Sequence, residues 1–286
     1  MLKLSNPMKV ATLNVTGKDQ PGIIAQTTTA LFTNKANILS LDEKVTNGVF
    51  SMTLNADFTQ TNLTDLKKSL ESIKQKLALE IHLNCHDTKR QKNLAILVTK
   101  EACCLQELIA KCHTNKIRAQ PVVIISNRND LAGVAKKFKI PFELVDSKQK
   151  AQNEKKIVHI LKNFNIDFLA LARYMQILSP EFVARYEGRV INIHPSLLPA
   201  FPGARPYEQA VTAGVTVVGA TAHFVTTDLD RGPVICQEAF KIRKADSVTQ
   251  VQAKGQKIEA QVLVRACELF AQDKLALRWG KVYVEN

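Results

Sequence analysis

Apolar and polar residues alternate from Met8 to Thr16, the pattern of a strand with one buried face. After a turn at residues 17–22 the period lengthens. Ile23, Ile24, Thr27, Ala30, Leu31 and Phe32 then fall on one helical face. Residues 37–41 open a second strand, Asn47-Gly48 is a two-residue hairpin signal, and Val49 to Ala56 returns. Leu63, Leu66, Leu70, Ile73 and Leu77 recur at helical spacing, and Leu79 to Leu83 reads as a fourth strand. The predicted order, β-α-β-β-α-β, is a ferredoxin-like plan.

Residues 87–93 are polar, charged and aperiodic, and read as a linker. Beyond them the plan changes. Leu94–Val98 is a short continuous apolar run, as in a parallel strand buried on both faces. Further strands are predicted at 121–126, 141–145 and 166–172, with helices at 105–112, 131–138 and 154–163 between them. Ser179 and Pro180 have the character of a helix start, cap followed by first turn. This alternation predicts an open, mainly parallel α/β sheet. A helix at 204–213, a hairpin of residues 215–225 and 234–240, a long helix at 247–272 and a short strand at 282–284 complete the pattern. The predicted domains are therefore 1–86 and 94–286.

Composition narrows the partners. No apolar run reaches membrane-spanning length, and Met1 to Met8 lacks the charged-then-apolar plan of a signal peptide. Cys85, Cys103, Cys104, Cys112, Cys236 and Cys267 form no dense framework. The expectation is a cytoplasmic protein with reduced thiols and no membrane partner. Around Cys85, His86, Cys103, Cys104, Cys112 and His113 there is no C-x-x-C or H-x-x-x-H spacing, so no metal is predicted. The net charge is +13, and residues 87–286 carry 30 Lys and Arg against 19 Asp and Glu. The lysines, such as Lys136, Lys137, Lys155 and Lys156, are scattered without interleaved aromatics. They read as a solvated surface, not a nucleic-acid site, although the excess suits an anionic small substrate. Thr99 to Cys104, after the first strand of the second domain, holds no glycine-rich loop for a nucleotide phosphate.

The candidate chemistry sits in Arg189–Pro199. Up to His194 the stretch alternates: Val190, Asn192 and His194 face one way, Ile191 and Ile193 the other. Pro195 cannot donate to a sheet ladder, so the strand stops there. An amide and an imidazole are thereby placed side by side at a strand end, where α/β folds put their ligands. A polar edge on a buried strand would show the same pattern. An acid from the loop at 228–230 would complete a kit for attack on a carbonyl, in which the carboxylate favours a charged imidazole and the amide donates to an oxyanion. His223 reads as a core histidine, and Asp228 as a loop or ligand contact rather than the base.

Two resemblances bear on these patterns. Asp19-Gln20-Pro21-Gly22-Ile23 and Ala36-Asn37-Ile38 make residues 8–84 resemble an ACT domain. That resemblance implies an effector site for a small amino acid lined by Asp19, Gly22, Ile23 and Asn37, and implies a homo-oligomer. Pro21 and Gly22 shaping a tight turn in a domain that only dimerises is the alternative. In the second domain, Asn192-Ile193-His194-Pro195-Ser196-Leu197-Leu198-Pro199, Leu229-Asp230-x-Gly232-Pro233 and Ala172-Arg173-Tyr174-Met175-Gln176-Ile177-Leu178-Ser179-Pro180 resemble the folate-dependent formyltransferase fold. By this resemblance Asn192, His194 and Asp230 are catalytic, and Met175, Gln176, Ile177, Leu178, Phe182, Val225 and Asp228 hold the folate.

An ACT domain ahead of this fold resembles the formyltetrahydrofolate deformylase family. The resemblance implies a hydrolase of one-carbon metabolism, tied to purine biosynthesis, that cleaves 10-formyltetrahydrofolate to formate and tetrahydrofolate. The folate is then the substrate, and no separate cofactor is implied. Deformylases carry His and Phe where this chain has Pro195 and Leu197, a form more like that of glycinamide ribonucleotide formyltransferases. Transfer to that amine is one alternative, and a non-catalytic amino-acid sensor is another. Glu101 stands in the loop where the transferases place a glycine-rich phosphate turn, and it would repel an anion, which favours water as acceptor.

Overall fold

The computed structural model describes residues 10–85, 90–146, 150–278 and 280–284. The segment Met1–Met8, the expected strand start at Met8, His86 and most of the expected linker lie outside the described residues. The chain divides into two units, Met1–Asp87 and Thr88–Asn286.

The first unit runs β1 (Val10–Lys18), α1 (Ile23–Thr33), β2 (Asn37–Thr46), β3 (Val49–Asp57), α2 (Leu63–Lys76) and β4 (Glu80–Cys85). Its antiparallel sheet has the order β2-β3-β1-β4. Asn47 and Gly48, both at positive φ, turn β2 into β3. Alternate residues of the central strands, Leu13, Val15, Met52 and Leu54, meet Ile23 and Leu31 of α1 and Leu66 and Leu70 of α2 in one core. Each fully buried side chain of this size contributes about 1.5–3 kcal/mol over leaving it in water. β2, at the sheet edge, leaves Ile38, Leu39 and Val45 exposed.

The second unit begins with β5 (Lys92–Val98), α3 (Cys103–His113), β6 (Ala119–Ser126), α4 (Ala132–Lys137), β7 (Phe142–Leu144), α5 (Lys150–Asn163) and β8 (Phe168–Leu171). Lys92 and Asn93 thus belong to a strand. α6 (Pro180–Arg185), β9 (Val190–His194), α7 (Pro206–Thr212), β10 (Val217–Phe224), β11 (Val234–Lys241), α8 (Val248–Ala271), β12 (Leu275–Arg278) and β13 (Lys281–Val284) follow. β12, which pairs with β13, has no counterpart in the sequence reading. The main sheet has the order β11-β10-β9-β8-β5-β6-β7. β9 to β7 run parallel, and β10 and β11 are antiparallel additions.

Period-two alternation sorts the central strands between two layers. Leu94, Ile96, Phe168, Ala170, Ile191 and Ile193 face a core shared with α3 and α8. Ala95, Leu97, Leu169, Leu171 and Val190 face one shared with α5 and α6. Coverage on both sides is why these strands read as apolar runs. No helix of the described residues is long and apolar enough to cross a membrane.

Candidate active site

β9 ends at His194, and β10 lies antiparallel beside it, pairing His223 with Asn192 and Thr221 with His194. The loop after β10 returns at Pro233, whose carbonyl accepts from the Phe224 N–H. Gly232 lies so close beneath this turn that a Cβ would stand 1.7 Å from the Phe224 oxygen. The fold thus brings Asp230 back over the end of β9. Asp230 adopts the left-handed region at φ 55, which Asp tolerates better than most residues. Its Oδ2 accepts from the Gly203 N–H at 2.8 Å and lies 3.4 Å from His194 Nδ1.

His194 is held at both nitrogens. Nε2 lies 3.0 Å from the Phe201 carbonyl, while Nδ1 faces the carboxylate. Both neighbours are acceptors, so whichever ring nitrogen carries a proton faces a partner. Beyond His194 the loop is laced to β10. Thr221 donates to the Ser196 carbonyl at 2.6 Å and accepts from the Leu198 N–H at 3.0 Å. Leu197 packs over Gly219, where a Cβ would lie 2.6 Å from its Cδ2. Leu197 does not line the cavity described below, so its difference from the deformylase motif is one of packing.

His223 is the satisfied core histidine that the sequence suggested, 2% exposed, and it also lines the cavity described below. Its Nδ1 lies 2.9 Å from the Phe224 carbonyl, which fixes the proton there. Nε2 is then the acceptor for the Asn192 amide at 3.2 Å and lies 3.9 Å from Asp230 Oδ1. This bond sets the amide's orientation and leaves its second N–H for a ligand. The signal that could have revealed His223 is the β9–β10 register, which alternation within β10 alone does not supply.

Burial holds His223 below the ordinary imidazole value of 6.5, against the pull of the Phe224 carbonyl and Asp230. As pH falls, the unfolded chain takes up this proton before the folded one. The residue's contribution to stability is therefore intact above 6.5 and is lost as pH falls toward its lowered folded value. Thermal unfolding between about pH 8 and pH 5 should show that decline, and His223→Gln should flatten it. An identical pH slope in the variant would remove His223 as its source.

These groups form the polar floor of a cavity of about 520 Å³. Met175, Gln176, Ile177, Leu178, Val225 and Asp228, which the resemblance assigned to ligand binding, line it together with Leu171, Val183 and Leu229. Phe182 does not. It is 2% exposed and packs against the Tyr186 ring at 5.0 Å, because the first turn of α6 aims it into the core. Val183 takes the lining position instead. Arg173, Phe201, Arg205 and Asp230, all at left-handed φ, stand around the site, a concentration of backbone strain typical of functional sites. Size and apolar walls fit a small organic ligand, with the polar groups gathered at one end.

In the first unit, Gly22 at φ 90 precedes α1, and Asp19, Gly22 and Asn37 are exposed. The Ile23 side chain is 1% exposed within the core, so its backbone is the part that can face a ligand. Cys103, Cys104, Cys112, Cys236 and Cys267 are free, and burial pushes the Cys112 thiol up to about 12 and Cys236 to about 11. Among the described residues no cluster of three or more His, Cys, Asp or Glu is arranged to hold a metal.

Comparison with known proteins agrees with this architecture. The ACT domain model matches residues 10–84, and the formyl transferase model matches residues 92–267. A formyltetrahydrofolate deformylase of Bacillus subtilis (strain 168) is 36% identical over 281 residues, covering 96% of this chain and 93% of that protein. The crystal structure of a formyltetrahydrofolate deformylase from Pseudomonas syringae pv. tomato str. DC3000 superposes with a TM-score of 0.69 at 28% identity, covering 100% of this chain and 97% of that one. Glycinamide ribonucleotide transformylase 1 from Symbiobacterium toebii reaches 0.67 at 28% identity, covering 72% of this chain and 98% of its own. The shorter transformylase shares a related fold, whereas the deformylases match across both units. The chain belongs to the formyltetrahydrofolate deformylase family.

Proposed function

We propose that the second unit hydrolyses 10-formyltetrahydrofolate to formate and tetrahydrofolate, with the pteridine in the cavity and the formyl group at its floor. The observation that carries this reading is Asp230 and His194 in contact, beside an Asn192 amide whose orientation His223 sets. In this reading a water on the formyl carbon gives up a proton toward Asp230 as its oxygen forms the new C–O bond. The spare Asn192 N–H donates to the developing oxyanion. His194 Nε2 is engaged by Phe201, so His194 passes protons at Nδ1, next to Asp230. The proton taken up at Asp230 passes to N10 as the bond between N10 and the formyl carbon breaks. Formate and tetrahydrofolate leave, and no separate cofactor enters the balance.

The test is formate release from 10-formyltetrahydrofolate with and without glycinamide ribonucleotide. Release without the ribonucleotide is expected. Turnover only in its presence would assign an amine acceptor, and no turnover in either case would leave a sensor.

We read the first unit as an amino-acid effector and assembly domain. The exposed turn at Asp19–Gly22 and exposed Asn37 support the effector, with backbone N–H groups at the start of α1 suited to a carboxylate. Phe32, 82% exposed, and the apolar edge of β2 support association with further copies. Calorimetry with a panel of small amino acids should find one that binds, and Asn37→Ala should weaken it. No heat from any of them would overturn the effector reading. The free thiols among the described residues support a reducing, cytoplasmic setting.

A further inference from the structure

Strand order in the second unit reverses between β5 and β8. From β5 the sheet continues through β6 and β7, and from β8 it continues the other way through β9. Open α/β sheets receive ligands in the crevice at the carboxyl ends of such strands. In this chain, charged side chains from both strand ends meet there. Arg173, just past β8 at φ 63, donates to both oxygens of Glu101, just past β5, at 3.0 and 3.2 Å. Its Nη1 lies 3.3 Å from Glu259 Oε2 on α8. The other Glu259 oxygen accepts from the Tyr207 hydroxyl at 2.8 Å. Gly255, one helical turn before Glu259, leaves room for that phenol, since a Cβ there would lie 1.9 Å from its oxygen.

Glu259 is 1% exposed, and the cluster joins four distant segments. Burial works against the Arg173 charge, but Glu259 and Glu101 outweigh it and hold it in place. Burial raises Glu259, with Arg173 and Tyr207 pulling it back. A buried ionic cluster is a poor source of net stability, so its position needs another reason. Arg173 and Tyr207 line the same cavity as His194 and Asp230. Arg205 lines the cavity too, and it pairs with Glu208 of α7 at 3.4 Å. At the crevice itself an anionic second substrate would depend on Arg173, a guanidinium already claimed by two carboxyl groups.

We propose that Glu101, Arg173, Glu259 and Tyr207 form an acceptor filter, a charge-paired plug that denies the cavity to phosphorylated amines and leaves water as the formyl acceptor. The proposal rests on the hydrolytic reading above. None of the four touches the reacting atoms in that mechanism. They determine specificity by what they keep out.

A charge series tests it, with inorganic phosphate as the probe, read by calorimetry and by inhibition of formate release. The wild-type protein should neither bind millimolar phosphate nor be inhibited by it. Glu101→Gln should gain affinity, and E101Q/E259Q should gain more, by at least about tenfold per carboxylate removed, because each change uncovers more of the Arg173 charge. Adding Arg173→Met to the double variant should abolish the gain. An unchanged phosphate response in variants that still fold would overturn the proposal. So would phosphate binding to the wild type that Arg173→Met removes. If the double variant fails to fold, E101Q decides alone, since the Glu101 side chain is 28% exposed and its loss leaves the buried pair intact. Failure of the wild type to release formate would indict the hydrolytic reading and not the plug, because phosphate binding is measured without turnover.

Discussion

Asp230→Asn is expected to slow formate release by about 10²–10⁴-fold, the range for losing a positioned acid–base group, with little change in thermal stability or in folate binding. The amide oxygen can still accept from the Gly203 N–H, so the turn that carries the residue keeps its tie. What disappears is the carboxylate 3.4 Å from His194 Nδ1, the proposed base for the attacking water. His194→Ala should lose turnover over the same range, since it removes the only imidazole that contacts both Phe201 and Asp230 among the described residues. The two act as one unit, so the double variant should be scarcely slower than either single one. Single-turnover rates and circular dichroism on the three proteins check this. Near wild-type turnover in either single variant would remove the pair from the reaction, and strictly multiplicative losses would separate their roles.

The parts of this pair that were legible in the sequence are local. Alternation in Val190–His194 followed by Pro195 placed the imidazole at a strand end, and the acid-bearing loop between two β-like runs placed Asp230 on a hairpin. Capping chemistry was equally readable: Ser179 accepts from the Phe182 N–H, with Pro180 in the first turn as its sequence suggests. Non-local features were not legible. His223 enters the site through strand register, a property of two segments 31 positions apart. Phe182 and Val183 differ by one position on a short helix, and which faces the cavity depends on how α6 docks. Glu101 was legible only as a charge in the loop after β5, Arg173 only as part of a motif, and Glu259 not at all, because nothing within each segment shows that the other two stand opposite. The resemblance covered the first kind of feature better than the second. Motifs preserve residues next to the chemistry, while the plug is a relation among segments.

Asn192→Ala should cost about 10²–10³-fold in turnover, the usual loss for one oxyanion donor, with little change in folate affinity because the cavity walls are untouched. His223 separates two accounts of that loss. If its part is to orient the amide, His223→Ala should slow the wild type clearly and do almost nothing in the Asn192→Ala background, since the amide it holds is gone. If His223 itself moved a proton, the second substitution would slow the Asn192→Ala protein further. The structure favours orientation: Nδ1 is committed to the Phe224 carbonyl and Nε2 to the Asn192 amide. Acidification offers the same test without mutation. Protonating Nε2 turns the amide's acceptor into a donor facing a donor, so turnover of the wild type should fall on the acid side, while the Asn192→Ala protein should lack that portion of the decline. An acid limb of equal depth in both proteins would remove His223 as its source.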